Sequence, residues 1–194
     1  MEIPISQKTL EALKKVDRKD FIKSESDPYA YYDVPVSIGF EQTISQPSTV
    51  AFMLELLNLE EGMSVLDVGS GSGWTTALLA YIVGKKGKVI GVEIIPELAE
   101  FGRNNMTKYM DLSDVNILLA ENELGYSARA PYDRILVSAC SEDIPQELVG
   151  QLKIGGIMVI PVNNSLVKVT RRSKNLSDIT TDDYPGFVFV PLKR

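Results

Sequence analysis

A short apolar strand that leads into a glycine-rich turn and then into a helix is the feature that most constrains the fold. The strand covers residues 65–68, the turn 69–73 and the helical segment 74–83. Strand, glycine turn and helix in this order form one half of a βαβ unit, in which a helix connects two parallel strands. A second strand at 88–93 and a second helix over about 96–109, opened by a proline, continue the pattern.

The same alternation extends toward the C-terminus. We predict strands at 115–119, 134–138 and 156–161, and a short helix at 147–152 that ends at Gly155-Gly156. Two β-rich stretches, 166–171 and 187–192, have a polar loop and no helix between them, which predicts an antiparallel hairpin at the sheet edge. The fold class is therefore α/β, with a doubly wound, mostly parallel, Rossmann-like sheet.

The N-terminal third lacks this alternation and is predicted to be an appendage of helices and loops. Ser6 can cap a helix in which Leu10, Leu13 and Val16 share one face. Residues 29–46 have the pattern of a structured loop of extended chain and turns, followed by a helix that begins at a proline and stops near residue 62. We expect one domain over 1–194, with 1–62 as appendage and substrate-side loop and 63–194 as the Rossmann-like core.

Composition excludes several classes of chemistry and partner. The 194 residues include no histidine and one cysteine, Cys140, so histidine-based catalysis, an internal disulfide and a Cys/His zinc site are all excluded. We expect no metal site. The formal net charge of −6 disfavours nucleic acid and anionic membranes as partners. The chain has neither a secretory-signal pattern nor a membrane-length apolar run, so we expect a cytoplasmic protein, and we expect it to be monomeric.

The glycine turn indicates a bound ligand, although not a nicotinamide dinucleotide. Counted from Gly69, the third glycine of the dinucleotide fingerprint falls on Trp74, which disfavours NAD. Missing β-carbons let the backbone approach a ligand closely, and Asp67 two residues earlier suits a ligand that carries an amine or another cation. The predicted loop contacts are Gly69, Ser70, Gly71 and Gly73.

A second carboxylate, Glu93, ends the second strand about 20 residues beyond the glycine loop, where an acidic side chain can accept both hydroxyls of a ribose. A ribose diol, an amino-acid ammonium, a sulfonium cation and no pyrophosphate are the parts of S-adenosylmethionine, which Asp67 and Glu93 together favour as the cofactor. Glu121-Asn122 can accept the adenine amino group, with Ile94 and Leu119 as apolar walls. Taken singly, each feature equally suits a tight turn or a solvated strand end.

Several motifs together resemble the protein-L-isoaspartate O-methyltransferase family over nearly the whole chain. They are GFEQTISQP at 39–47, VLDVGSGSG at 65–73, APYD at 130–133, IP at 144–145, QLK at 151–153 with GG at 155–156, and VPL at 190–192. The resemblance implies methylation of the free carboxylate of isoaspartyl residues in damaged proteins or peptides, with S-adenosylmethionine as methyl donor. It also implies that Ser45 is the active-site serine. Thr43 and Ile44 are expected to shape the same pocket and to cover the cofactor.

The chain departs from the common family pattern at Glu41, at Glu121-Asn122 and at Cys140-Ser141-Glu142. Two alternatives stay open beside the isoaspartyl reaction. One is a methyltransferase that uses the same cofactor on a different acceptor, such as a small molecule. The other is a non-catalytic family member that binds the cofactor or a protein partner.

Overall fold

The computed structural model describes residues 4–22, 28–109, 111 and 114–193. Helices and strands alternate through most of this part of the chain. The helices are α1 (Gln7–Lys15), α2 (Pro47–Leu57), α3 (Trp74–Val83), α4 (Pro96–Met106) and α5 (Gln146–Gln151). The strands are β1 (Val36–Gly39), β2 (Gln42–Ile44), β3 (Ser64–Val68), β4 (Lys88–Glu93), β5 (Asp114–Leu119), β6 (Tyr132–Val137), β7 (Leu152–Val162), β8 (Ser165–Arg171) and β9 (Ile179–Pro185).

A seven-stranded sheet with the order β5-β4-β3-β6-β7-β8-β9 forms the centre of the molecule. The first five strands are parallel, whereas β8 and β9 run antiparallel as a hairpin at the edge. From β3 the chain moves outward through β4 and β5 and then returns to β6 on the other side of β3. This reversal of direction between β3 and β6 is the place where open α/β sheets bind ligands. The structure confirms the predicted fold class.

Burial on both faces explains why the central strands are almost continuously apolar. Successive residues of β3 point to opposite faces, so Val65 joins one apolar cluster while Leu66 and Val68 join the other. The first cluster includes residues of α1, α2, α3 and α4, and the second includes residues of α5. In the part of the chain that the structure describes, no helix is long and apolar enough to cross a membrane.

The N-terminal helix is capped as predicted, and Leu13 and Val16, two of the three residues predicted to share a face, pack against the core. The Ser6 hydroxyl accepts a hydrogen bond from the Thr9 backbone N–H at 3.3 Å. Thr9 is buried because its hydroxyl donates to the Glu55 carboxylate of α2, and Val16 is fully buried, whereas Leu10 is 40% exposed. The prediction that Leu10 lies on the buried face was therefore wrong. The shared cluster of α1, α2 and the sheet supports our proposal that the chain forms one domain.

The predicted loop before α2 contains a β-hairpin formed by β1 and β2. Its two turn residues, Phe40 and Glu41, have φ values of 53° and 58°, the left-handed conformation that a two-residue turn of this kind requires. Glycine or asparagine usually occupies such positions, because a β-carbon is strained there. The hairpin matters for function because it forms one wall of the cavity described below.

The prediction that residues 187–192 form the second strand of the edge hairpin was wrong. The strand that pairs with β8 is Ile179–Pro185, which is largely exposed and polar, as suits an edge strand. The apolar residues that follow leave the sheet: Phe187 stacks on Phe52 of α2 at a ring-centroid distance of 5.5 Å. Farther along, Pro191 forms an isolated bridge with Cys140.

The boundary between α5 and β7 also differs from the prediction. The helix ends at Gln151, and β7 begins at once at Leu152, so Gly155 and Gly156 lie inside the strand rather than at the end of the helix. The register with β6 shifts in this region. A β-carbon on Gly156 would lie 3.1 Å from the Asp133 carbonyl oxygen, so this glycine permits close backbone approach.

Candidate active site

A cavity of about 920 Å³ opens at the carboxyl ends of β3, β4 and β6, where the strand order reverses. Its size lies within the range of small-molecule sites. Most of the residues predicted for the site line it. They are Thr43, Ile44, Ser45, Gly69, Ser70, Gly71, Glu93, Ile94, Glu121 and Asn122.

The backbone of the neighbouring strand fixes the glycine loop that follows β3. The N–H groups of Gly69 and Ser70 both donate to the Val92 carbonyl oxygen, at 2.9 and 3.1 Å. Gly71 has a φ of 53°, and a β-carbon there would lie 3.2 Å from Ile38 of the hairpin. The glycine loop therefore packs against the Ile38 side chain of the hairpin, which leaves little room for a side chain at position 71.

Glu93 is nearly buried at the end of β4, with 6% of its surface exposed. One carboxylate oxygen accepts the Gly71 N–H at 2.8 Å, and the other accepts the Ile95 N–H at 3.0 Å. These two bonds fix the carboxylate at the edge of the cavity. Each oxygen can accept a further hydrogen bond, so the group can still receive a pair of ligand hydroxyls.

The structure corrects the predicted role of Asp67. Its side chain is fully buried behind the glycine loop and is not part of the cavity lining. One carboxylate oxygen accepts the hydroxyls of Thr75 and Thr76, both at 2.7 Å, and burial raises the pKa of Asp67 to about 6. Because Thr75 does line the cavity, Asp67 can act on a ligand through this hydroxyl rather than by a direct ion pair.

The predicted ligand contact at Gly73 also needs correction, because Gly73 does not line the cavity. Its φ is 92°, and a β-carbon there would lie 3.0 Å from the Ile117 side chain and 3.2 Å from the Gly102 carbonyl oxygen of α4. The glycine is therefore needed for the close packing of α4 and β5 against the end of the loop.

Ser45 lines the cavity from the junction between the hairpin and α2. Within the described residues, no protein group is hydrogen-bonded to its hydroxyl, whereas its carbonyl oxygen accepts from Arg18 at 3.1 Å. At the start of α2, the Ser48 N–H is already bonded to the Asp33 carboxylate at 2.8 Å. That N–H is therefore not available to an incoming anion, whereas the Ser45 hydroxyl is a donor on the cavity lining.

The adenine side of the predicted site is more open than the ribose side. Glu121 and Asn122 are exposed at the rim, and Ile94 is 37% exposed. Leu119 was expected to form a wall, but it borders a neighbouring recess instead. Ala120 and Leu124 supply apolar lining in its place.

Two groups stand out among the lining residues that sequence reasoning missed. The first lies at the end of β6, where the Ser138 hydroxyl is buried without a hydrogen-bond partner among the described residues. Its position after a strand at the reversal point was the signal that could have identified it. The second group is the C-terminal segment 190–193, which was assigned to an edge strand. No local pattern indicates that this segment crosses to the cavity.

A model of the protein-L-isoaspartate(D-aspartate) O-methyltransferase family matches residues 2–194. The chain belongs to this family. Two archaeal relatives bear the family name: one from Methanothrix thermoacetophila is 45% identical, with 97% of this chain and 89% of the relative covered. The other, from Archaeoglobus fulgidus, is 44% identical, with 99% and 88% covered.

Solved structures of the family share the fold. One from Plasmodium falciparum, assigned to protein-L-isoaspartate O-methyltransferase and solved with S-adenosyl-L-homocysteine, has a TM-score of 0.84 and 29% identity. The matched region covers 97% of this chain and 91% of the Plasmodium falciparum chain. A second solved structure, named protein-L-isoaspartate O-methyltransferase, has a TM-score of 0.87 and 25% identity. The matched region covers 98% of this chain and 62% of that second chain. The family predicted from the motifs is confirmed.

We expect Asp67→Asn to change how stability depends on pH. The buried carboxyl has a raised pKa of about 6 against an ordinary 3.8, so the folded protein retains its proton more strongly than the unfolded chain does. Its stabilising contribution is full below about pH 3 and is lost as pH rises through 6. The free energy of unfolding of wild type relative to Asp67→Asn should fall by about 3 kcal/mol between about pH 3 and about pH 8, measured by urea denaturation.

Asp133→Asn is the control, because the pKa of Asp133 is shifted in the opposite direction and its effect on stability should change with pH in the opposite sense. Burial pushes the pKa of Asp133 upward, but hydrogen bonds from Lys153 and from the Ser64 N–H outweigh it and lower the pKa. Wild type should therefore lose stability relative to this variant as the solution is made acidic. If the difference in the free energy of unfolding between wild type and Asp67→Asn does not change with pH, the pKa of Asp67 is not raised.

Gly73→Ala should destabilise the protein more than Gly155→Ala does. Both glycines have positive φ values, of 92° and 81°, but a β-carbon at Gly155 meets no atom within 4 Å. Backbone strain alone should cost about 1 kcal/mol at Gly155, and the collision at Gly73 should add about 1–3 kcal/mol. Urea denaturation measures both, and equal losses would show that packing against α4 does not require this glycine.

Proposed function

We propose that this protein transfers the methyl group of S-adenosylmethionine to the free carboxylate of L-isoaspartyl residues in damaged proteins and peptides, the first step in their repair. The observation that carries the proposal is one cavity, in a member of this family, that is lined by Ser45, by Glu93 and by the glycine loop together. We include in the proposal a monomeric, cytoplasmic protein that acts on neither nucleic acid nor membranes.

The cavity fits the proposed cofactor. Glu93 offers two fixed carboxylate oxygens for the ribose hydroxyls, and the loop from Gly69 to Gly71 leaves backbone within reach of the amino-acid end. Further polar groups are the Thr75 hydroxyl, held by Asp67, and the Ser138 hydroxyl, which has no hydrogen-bond partner among the described residues. When bound, S-adenosylmethionine supplies an electrophilic methyl group on a positively charged sulfur.

The acceptor carboxylate is already ionised at neutral pH, so the protein needs no general base, which agrees with a chain that has no histidine. The task of the protein is to align the attacking oxygen and to remove its water. Alignment of this kind can lower a barrier by roughly 7–11 kcal/mol. The Ser45 hydroxyl donates a hydrogen bond that orients the carboxylate, while the hairpin and the C-terminal segment limit access of water.

The departures from the common family sequence differ in where they lie: Glu121 and Asn122 line the cavity, whereas the others do not. Glu41 lies in the hairpin turn, and neither it nor Cys140 nor Glu142 belongs to the cavity lining. The Cys140 thiol lies 3.1 Å from the Asn163 carbonyl oxygen. This arrangement favours the isoaspartyl acceptor over a changed acceptor, because the cavity is not lined by the altered residues on the acceptor side.

Methyl transfer from labelled S-adenosylmethionine tests the proposal directly. The purified chain is given an isoaspartyl peptide or the same peptide with a normal aspartyl residue. We expect a labelled, base-labile methyl ester on the isoaspartyl peptide alone. Transfer to neither peptide, with cofactor binding retained by calorimetry, would instead favour a different acceptor or a non-catalytic member, and equal transfer to both would contradict recognition of isoaspartate.

Ser45→Ala should retain cofactor binding and lose methyl transfer. The lost hydroxyl removes one donor to the acceptor carboxylate, so kcat should fall by roughly 10²–10³-fold, while calorimetry gives an unchanged Kd for S-adenosylmethionine. Ser48→Ala is the matched control, because Ser48 is exposed three residues later and does not line the cavity. Unchanged turnover in Ser45→Ala would remove Ser45 from the active site.

A further inference from the structure

A buried guanidinium group lies behind the Ser45 loop, the segment 28–46 that contains the hairpin and Ser45. This group does not line the cavity. Arg18 begins the short 3-10 helix Arg18–Phe21 after α1, and only 4% of its surface is exposed. The proposed chemistry assigns no role to it. Burying a charged side chain costs free energy unless its N–H groups are hydrogen-bonded. The hydrogen-bond partners of Arg18 therefore indicate which parts of the structure it stabilises.

The two terminal guanidinium nitrogens of Arg18 donate to backbone carbonyl oxygens on both sides of the hairpin. One terminal nitrogen lies 2.8 Å from the Ala30 oxygen, and the other lies 2.8 Å from the Val34 oxygen and 3.1 Å from the Ser45 oxygen. Longer contacts of 3.4 Å reach further carbonyl oxygens of the same segment, those of Tyr29, Tyr32 and Ile44. One side chain thus joins the start and the end of the segment that carries Ser45.

The other face of Arg18 contacts the cofactor side of the cavity. Its guanidinium carbon lies 5.5 Å from the centre of the Trp74 ring, within the range of a cation–π interaction. Trp74 lines the cavity and begins α3 immediately after the glycine loop. Arg18 therefore connects the Ser45 loop with the end of the glycine loop.

Only the geometry of arginine suits this position. A planar guanidinium presents several N–H groups in a fixed fork and stacks on an aromatic face, whereas a lysine ammonium is a compact charge on a flexible stem. A lysine at position 18 can bond one part of the segment but cannot bridge Ala30, Val34 and Ser45 together. The Ser45 backbone would then lose a fixed position relative to Trp74.

We propose that Arg18 is a positioning residue that fixes the Ser45 backbone relative to the glycine loop and thereby sets the Ser45 hydroxyl for methyl transfer. The inference rests on the proposed function for its kinetic consequence. Its structural consequence, a loop that Arg18 holds in place, is measurable without any reaction.

Arg18→Lys tests this role against Arg134→Lys as the matched control. Arg134 is also a buried arginine that donates to backbone carbonyl oxygens, but those of Leu57 and Asn58 at the end of α2, outside the cavity. Hydrogen exchange followed by mass spectrometry should show faster amide exchange over 28–50 in Arg18→Lys and not in Arg134→Lys. Unchanged exchange over 28–50 in Arg18→Lys would overturn the inference, whether or not the wild type methylates isoaspartate.

A double-mutant cycle with Ser45→Ala separates positioning from a general loss of stability. In Arg18→Lys, kcat for the isoaspartyl peptide should fall on the order of 10²-fold, while the Kd for S-adenosylmethionine changes little. Because Arg18 acts through Ser45, Arg18→Lys combined with Ser45→Ala should be no slower than Ser45→Ala alone. Arg134→Lys should leave kcat near that of wild type.

If the fold-losses in kcat of the two single variants multiply in the double variant, Arg18 acts independently of Ser45 and the inference is overturned. A wild type that transfers no methyl group overturns the proposed function instead, and the exchange measurement still decides the role of Arg18. If Arg18→Lys does not fold, Arg18→Gln, which retains N–H donors without the fork or the charge, takes its place in both measurements.

Discussion

The glycine loop is held from one side by β4: the Val92 carbonyl oxygen accepts from the first two N–H groups of the loop, and the Glu93 carboxylate accepts from Gly71. These bonds pair the N–H groups of Gly69, Ser70 and Gly71 where the chain leaves the centre of the sheet and turns into α3. The same bonds fix Glu93 at the cavity edge. One hydrogen-bonded corner therefore shapes both the turn and the carboxylate available to a ligand.

The sequence predicted this half of the molecule well, because it follows from local patterns. Apolar runs separated by glycines and prolines indicate buried parallel strands and their helices, and the reversal point then indicates where polar residues such as Glu93 meet. Asp67 shows the limit of that reasoning. A carboxylate just before a glycine loop can point into the cavity or behind it, and only the hydroxyls of Thr75 and Thr76 determine that it lies behind.

The acceptor side of the site was harder to predict for two physical reasons. The hairpin turn uses Phe40 and Glu41 in a conformation that favours glycine or asparagine, so its sequence does not indicate a tight turn. The edge strand β9 is polar because it faces solvent, whereas the aromatic residues after it pack on α2. Alternation of apolar residues indicates burial, and burial here comes from a helix rather than from a strand partner.

Trp74 is the only tryptophan of the chain, and it lines the cavity while its other side meets Arg18. Its emission spectrum is therefore sensitive to two events at once, entry of a ligand and displacement of the loop behind the ring. The protein thus contains an intrinsic fluorescent probe at the boundary between its two binding regions. Occupancy of the cavity can be followed in rapid mixing without attaching a dye.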